Sequence, residues 1–261
     1  MVDTTANERI SAFEDRLARA QATDVIELPW GTALLQTEFP LSRYHNRISV
    51  VSEVSAAEVI GTCEELLGGA QLQHRYVSTD NDLGESMKAE FLAAGYDHEA
   101  LATVIYAGPP VEPSLHDVRA VSFETMRPAI VRDWRDTLPD APEEEIEQLA
   151  DRMVSLARAS ELTFVAVFHD EEIAARADVR IDRGAGIALL ESLQTQPRHR
   201  GLGYGRALVN DALTRGNDAG CDLSFLTASL SDWPYAWYTR LGYVEAGRTH
   251  HFSRLHQRTE R

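Results

Sequence analysis

One stretch of the chain predicts a strand, a turn and a helix in succession: Leu189-Leu190-Glu191-Ser192-Leu193-Gln194-Thr195-Gln196-Pro197-Arg198-His199-Arg200-Gly201-Leu202-Gly203-Tyr204-Gly205-Arg206-Ala207-Leu208-Val209. Its apolar start predicts a strand, which Pro197 ends because proline has no N–H for a sheet ladder. A basic, glycine-rich turn follows. Apolar residues then recur at the spacing of a helix face. These residues are Ala207, Leu208, Val209, Ala212 and Leu213.

The predicted turn is suited to binding an anion. The first N–H groups of a helix have no partner within the helix, and the helix dipole adds partial positive charge there. Glycines allow a ligand to approach the backbone, while Arg198, Arg200 and Arg206 contribute charge. The turn therefore predicts a pyrophosphate site at the start of the helix.

The glycine spacing separates this turn from other phosphate-binding loops. No Lys-Ser or Lys-Thr pair follows the glycines, and Gly201, Gly203 and Gly205 do not have the G-x-G-x-x-G spacing of dinucleotide-binding turns. The run Arg200-x-x-Gly203-x-Gly205, preceded by Thr195-x-Pro197, resembles the acetyl-CoA loop of the GNAT superfamily of N-acetyltransferases. The family pattern is V-x-P-x-x-R-x-x-G-x-G/A, and Thr195 replaces the equally β-branched valine.

The resemblance covers residues 117–255 and implies the GNAT acyltransferase fold. This is an α/β (α+β) fold with a mixed, mostly antiparallel sheet flanked by helices. Sequence periodicity predicts helices over 127–138, 142–159 and 233–240, and a central strand over 187–196. A smaller N-terminal α/β domain precedes this part. The proline-rich run Gly108–Pro113 predicts a boundary between domains of residues 1–112 and 113–261.

The first half resembles a weak repeat of the second. In each half a helix ends at a similar tripeptide, Ala94-Gly95-Tyr96 and Leu241-Gly242-Tyr243. Between the strand before it and the next helix, however, the first half has Val54-Ser55 in place of a basic glycine turn. The first half is therefore interpreted as a degenerate GNAT-like domain without a phosphate site. An unrelated α/β domain is the alternative.

The resemblance also implies where acetyl-CoA, the acyl donor, is bound. Backbone groups of Leu193 and Thr195 would meet the pantetheine arm, which runs like an added strand. The N–H groups from Arg200 to Gly205 would hold the pyrophosphate. Ser231 stands where the family has an asparagine, and its hydroxyl is a substitute contact. The expected donor-binding residues are Leu193, Gln194, Thr195, Arg200, Gly201, Leu202, Gly203, Tyr204, Gly205, Arg206 and Ser231.

Two residues are candidates for proton transfer. The run Trp237-Tyr238-x-x-Leu241-Gly242-Tyr243 is similar to the family's F-Y-x-x-x-G-F motif, which implies that Tyr238 is the general acid. The alternative is an aromatic ring packed on the sheet. Glu191 is the acid of the central strand, and strand alternation puts it on one side with Leu193 and Thr195. It is the candidate general base, unless it only pairs with an arginine. Weaker candidates are Asp232, His250 and His251.

Composition and net charge limit the classes of molecule that the protein is expected to bind. A formal net charge of -16 over 261 residues argues against nucleic acid and anionic membranes, and is compatible with a cationic amine. No apolar run predicts a transmembrane helix or a signal peptide. Cys63 and Cys221 are far apart, as in a reduced cytoplasm, and no cluster has metal-ligand spacing. A homodimer is compatible with the sequence.

The sequence therefore predicts a cytoplasmic acetyltransferase. It would transfer an acetyl group from acetyl-CoA to a primary amine of a small-molecule acceptor. Two alternatives remain open at this point. One is a transferase that uses a longer acyl-CoA, and the other is an acyl-CoA-binding sensor or partner-binding module without turnover.

Overall fold

The computed structural model describes residues 4–111 and 114–255. The first half contributes α1 (Thr4–Gln21), β1 (Asp24–Leu28), β2 (Gly31–Leu35), β3 (Arg47–Val50), α2 (Ala56–Cys63), β4 (His74–Asp80), α3 (Asn81–Ala93) and β5 (Asp97–Tyr106). The second half contributes β6 (Val118–Val121), α4 (Phe123–Thr137), α5 (Glu143–Asp151), α6 (Met153–Ala159), β7 (Glu161–His169), β8 (Glu172–Asp182), β9 (Ile187–Thr195), α7 (Tyr204–Asp218), β10 (Leu223–Ser229), α8 (Trp233–Arg240) and β11 (Tyr243–Leu255).

All these strands form one 11-stranded sheet in the order β1-β2-β3-β4-β11-β5-β10-β9-β8-β7-β6. Only the β3–β4 and β9–β10 pairs are parallel in the part that the structure describes. The predicted fold class, with a mixed and mostly antiparallel sheet flanked by helices, is confirmed.

The two halves exchange their last strands. β11 of the second half lies between β4 and β5, and β5 of the first half lies between β10 and β11. The parallel pair β3–β4 is thus followed by β11 and then β5, and the parallel pair β9–β10 is followed by β5 and then β11. In each half, the last strand of the other half comes before its own last strand. The symmetry supports the interpretation of an internal repeat. The proposed boundary at Glu112 and Pro113 lies outside the described residues.

The central strand is interrupted by a bulge at Ser192. Glu191 pairs with Asp178 and Gln194 pairs with Arg176, so β9 has one residue more than β8 over this interval. Ser192 takes up the extra residue in a left-handed conformation, with φ 53°. The strict alternation expected for residues 191, 193 and 195 is therefore broken, and β9 changes direction where the predicted site begins.

β9 separates from its parallel neighbour β10 just before the bulge. The register between β9 and β10 runs only from Ile187 to Leu189 on β9. The pairing of β9 with β8 continues on the other side as far as Thr195. Past Leu189, the edge of β9 that faces β10 is open between the two strands.

The helices cover the sheet as their apolar patterns predict. α7 buries the expected face, including Leu208 and Val209, against the strands beneath it. α8 has the predicted bounds, 233–240. The helix expected over 142–159 is instead divided into α5 and α6 at Arg152. No helix among residues 4–111 and 114–255 combines the length and apolar character needed to cross a membrane.

Candidate active site

The turn after β9 leaves the start of α7 open. Pro197 begins one turn of 3-10 helix, and Gly201 and Gly203 follow with φ of 81° and 88°. These are left-handed conformations, which glycine adopts without strain. Gly203 is the N-cap residue of α7 and has no side chain to bond the first N–H groups. Those N–H groups therefore remain available to a ligand.

A cavity of about 470 Å³ opens at this turn. We name it the loop cavity. Nine of the eleven expected donor-binding residues line it; Leu202 and Ser231 do not. The loop cavity is lined by Leu193, Gln194, Thr195, His199, Arg200, Gly201, Gly203, Tyr204, Gly205, Arg206, Asp232, Trp233, Pro234, Trp237 and Tyr238. A Cβ on Gly205 would lie 3.3 Å from the Trp237 ring, so this glycine allows α7 and α8 to approach closely.

Three residues singled out in the sequence do not line the loop cavity. Leu202 is 48% exposed, and the Ser231 hydroxyl bonds that of Ser229 at 3.0 Å. Arg198 pairs with Glu172 and does not line the loop cavity. The positive charge facing the loop cavity from this turn therefore comes from Arg200 and Arg206.

A second cavity, of about 330 Å³, is also lined by Tyr238. We name it the charged cavity. Both halves of the chain line it, with α1 and the segment before β3 facing α6, β8, β9 and β10. Its polar residues include Glu14, Gln21, Tyr44, His45, Arg47, Arg152, Arg180, Glu191, Ser192, Thr227, Ser229 and Tyr238.

Tyr238 lies where the two cavities meet. Together with Leu193 and Pro234, it lines both of them. The residue is 7% exposed, and burial raises the pKa of its phenol to about 12. The phenol is therefore protonated at neutral pH and is available as a proton donor toward either cavity.

Two carboxylates line the charged cavity in different environments. Glu191 forms an ion pair with the buried Arg180, with 2.6 Å between Oε2 and Nη2. Glu14, on α1, forms no hydrogen bond or ion pair with the residues that the structure describes. Burial first, and then the charge of Glu191, raise the pKa of Glu14 to about 7, whereas Arg47 acts in the opposite direction.

The weaker sequence candidates have structural partners. Asp232 caps α8, where its carboxylate accepts from the Trp233 N–H at 2.7 Å. His250 bonds His98 at 2.9 Å, and His251 bonds Tyr76 at 3.0 Å. Neither histidine lines the loop cavity or the charged cavity.

Sequence reasoning missed the contribution of the first half to the site. The sequence does not predict that Glu14, Tyr44, His45 and Arg47 belong to the site, although all four line the charged cavity. In the structure, His45 bonds Ser42 at 2.8 Å and Gln21 at 2.7 Å. A buried histidine between two polar partners fixes this segment against α1, but its signal in the sequence is no stronger than that of an ordinary loop.

Comparison with known proteins gives a family match for the second half of the chain. Residues 123–243 match the model of the Acetyltransferase (GNAT) family. Members of the family transfer acyl groups from an acyl-CoA to an acceptor. No curated protein matches the sequence.

Solved structures resemble the chain over nearly its full length. A protein of unknown function from Staphylococcus epidermidis is 13% identical and has a TM-score of 0.72, over 90% of this chain and 94% of that one. A GCN5-related N-acetyltransferase from Kribbella flavida is 19% identical and has a TM-score of 0.62, over 95% of each chain. A tandem GNAT protein from the clavulanic acid biosynthesis pathway is 13% identical and has a TM-score of 0.56, over 97% of each chain. At these identities the likeness establishes the fold, including its two-domain arrangement.

Proposed function

We propose that the protein transfers the acetyl group of acetyl-CoA to the primary amine of a small-molecule acceptor. One observation carries the proposal, namely that the loop cavity and the charged cavity share Leu193, Pro234 and Tyr238. An acyl donor in the first cavity and an amine in the second would meet at this junction. Holding two reactants in contact supplies much of the rate enhancement of such a transfer.

The loop cavity has the features that the donor requires. Open N–H groups at the start of α7, with Arg200 and Arg206 beside them, suit a pyrophosphate. The open edge of β9 after Leu189 offers backbone N–H and C=O groups to an extended pantetheine arm. Leu193, Gln194 and Thr195 lie on that edge, between the turn and Tyr238.

Tyr238 is proposed as the general acid. When bound, the donor supplies the acetyl group and a thiolate that departs. Tyr238 holds a proton at its phenol oxygen at neutral pH and would donate it to the departing sulfur. Its hydroxyl makes no hydrogen bond with the described residues, so none of them competes for that proton.

A carboxylate of the charged cavity is proposed as the general base that takes a proton from the amine. Glu191, predicted from the sequence, shares its charge with Arg180. Glu14 has no such partner among the described residues, and its pKa of about 7 is close to the value that suits a base at neutral pH. We therefore assign the base to Glu14 and an orienting role to Glu191.

The experiment is turnover of acetyl-CoA by the full chain against a panel of small primary amines, measured as free thiol. Release of thiol that depends on the amine and yields the N-acetyl product is expected. A folded protein that does not bind CoA would contradict the proposal. Binding of acetyl-CoA without turnover of any amine would favour a sensor, and faster turnover of longer acyl-CoA would change the donor.

A further inference from the structure

The charged cavity contains three arginines, Arg47, Arg152 and Arg180. Arg180 is paired with Glu191. Within residues 4–111 and 114–255, neither Arg47 nor Arg152 has a carboxylate within ion-pair distance. A strongly acidic protein therefore places an excess of positive charge in this one cavity.

The contacts of Arg47 leave part of its guanidinium unused. The side chain stacks on Tyr44, with the guanidinium carbon 4.3 Å from the ring centre. It donates to the Tyr44 carbonyl and, at 3.4 Å, to the Ser49 hydroxyl. No described residue accepts a hydrogen bond from its Nη2, although Arg47 is only 7% exposed. A buried guanidinium that lines a cavity and keeps a free donor is suited to an anionic ligand.

Arg152 is held in a similar way from the other side. It lies over the Trp134 ring at 5.2 Å and donates to the Ser42 hydroxyl at 2.9 Å. Its Nε is buried and has no hydrogen-bond partner among the described residues. Burial lowers the pKa of Arg152 to about 10, which leaves it charged at neutral pH. Arg152 lies between the end of α5 and the start of α6, and from this helix break its side chain lines the cavity.

Buried cations without counter-ions destabilise a fold, since burial removes the hydration of the charge. The carboxylates of the charged cavity do not balance the arginines. Glu191 neutralises Arg180, and Glu14 is partly protonated near pH 7. Two aromatic rings and a few neutral oxygens support Arg47 and Arg152 without cancelling their charge. An anion from the ligand would cancel it.

We propose that the acceptor amine also carries an anionic group, a carboxylate or a phosphate, and that Arg47 and Arg152 bind this group. The inference rests on the proposed function, because it names the class of acceptor for the same site. Arginine binds both anions through paired N–H donors, and its planar fork fits either one. The amine end of the acceptor then lies toward Glu14, Glu191 and Tyr238, which line the same cavity.

Matched acceptors test the proposal. Amino acids are compared with their carboxamides, and O-phosphoethanolamine with ethanolamine, so that each pair differs in the anionic group. For wild type, kcat/KM is expected to be at least about tenfold higher for the anionic member of one pair, and the preferred pair distinguishes carboxylate from phosphate. Equal or better turnover of the neutral members would overturn the proposal.

Arg47→Met and Arg152→Met test the residues. Each is expected to lower kcat/KM for the preferred anionic acceptor by about 10- to 100-fold, the usual worth of hydrogen bonds to a charged group. Turnover of the neutral member should change little. Arg158→Met is the control, because Arg158 lies on α6 but its side chain is 70% exposed. Its kcat/KM should match that of wild type for both the anionic and the neutral acceptor. An equal loss for both members would mean that the arginines are only structural, and Arg152→Lys serves if the Met variant does not fold.

A binding measurement keeps this inference separate from the proposed function. Thermal unfolding is followed in sodium acetate or sodium phosphate, against sodium chloride of equal ionic strength, with CoA present to fill the loop cavity. Wild type and Arg158→Met should be stabilised by one of the anions, and Arg47→Met and Arg152→Met should lose that shift. No shift in wild type would overturn the inference, whether or not an amine is acetylated.

Discussion

Arg180 and Glu191 form a cross-strand ion pair, with 2.6 Å between Nη2 and Oε2, at the place where β9 begins to bulge. Arg180 is nearly buried, and Glu191 reaches the charged cavity from β9. The pair anchors the carboxylate beside the extra residue Ser192. Because removal of one partner would leave a buried charge, Glu191 has a structural reason to be present as well as a chemical one.

Gly203→Asp is expected to abolish acyl-CoA binding while the fold is retained. The substitution places a carboxylate at the N-cap of α7, where the pyrophosphate is proposed to lie, and repels it. Titration calorimetry with CoA measures the effect. Gly220→Asp is the matched control, since its φ of 80° is also left-handed and its Cβ would meet open space at the far end of α7. Unchanged affinity in folded Gly203→Asp would contradict the assignment of the loop.

Tyr238→Phe is expected to lower kcat and to leave acetyl-CoA affinity nearly unchanged. The substitution removes the proposed proton donor but keeps the ring, and the interaction matters in the transition state. General acid catalysis contributes about 10²–10⁴-fold, and a thiolate is a good leaving group, so the low end is expected. Tyr243→Phe, a buried neighbour that lines neither cavity, is the control. A change in kcat below about threefold would remove Tyr238 as the acid.

Glu14→Gln is expected to remove one limb of the pH–rate profile. As a base, Glu14 acts only when deprotonated, so its contribution to kcat/KM rises with pH through about 7 and then levels off. Glu191→Gln should keep that limb but move it to lower pH, because the charge of Glu191 helps to raise the pKa of Glu14, and its rate should fall. The same amine is used for all three proteins so that its own titration cancels. If Glu191→Gln loses the limb and Glu14→Gln keeps it, the base is Glu191.

The raised pKa of Glu14 also predicts how the free energy of unfolding depends on pH. The pKa of Glu14 in the fold is about 7, above its ordinary 4.5, so the folded state binds the proton more tightly than the unfolded state does. This stabilisation is complete below pH 4.5 and is lost as the pH rises through 7. Relative to Glu14→Gln, wild type should lose up to about 3 kcal/mol of unfolding free energy between pH 4.5 and 8. Urea unfolding at several pH values measures this difference, and parallel curves would contradict it.

The chain is expected to bind one acetyl-CoA. In the first half, the helix that corresponds to α7 is α2, and the Ser55 side chain caps it by accepting from the Glu58 N–H at 3.2 Å. That helix start is thus already occupied by the protein, and no glycine or arginine lies between β3 and α2. Titration calorimetry gives the stoichiometry. Two equivalent sites per chain would mean that the first half is not degenerate.

Local signals in the sequence predict the loop and α8 closely. Proline, alternating glycines and helical periodicity each act within a few residues, so the turn from Pro197 to Gly205 and the bounds of α8 are readable from neighbours. The bulge at Ser192 is different. Its residues have ordinary strand propensities, and only pairing with β8 reveals the extra one.

The charged cavity depends on contacts between distant parts of the chain. Glu14 and Arg47 reach it from the first half, and Arg152 reaches it from a helix break that periodicity does not predict. Each of these residues looks like a solvated charge when only its neighbours are considered. The proposed donor site could be predicted because one segment builds most of it, whereas the acceptor site is assembled only by the tertiary fold.

The exchange of β5 and β11 has a consequence for synthesis of the protein on the ribosome. β4 and β5 cannot reach their final arrangement until β11 has been made, because β11 lies between them. The sheet of the first half therefore stays incomplete between β4 and β5 while more than half of the chain is still being translated. Such long-range strand pairing is slow and leaves edges exposed to aggregation. We therefore expect the first half to be most prone to aggregation before β11 has been translated.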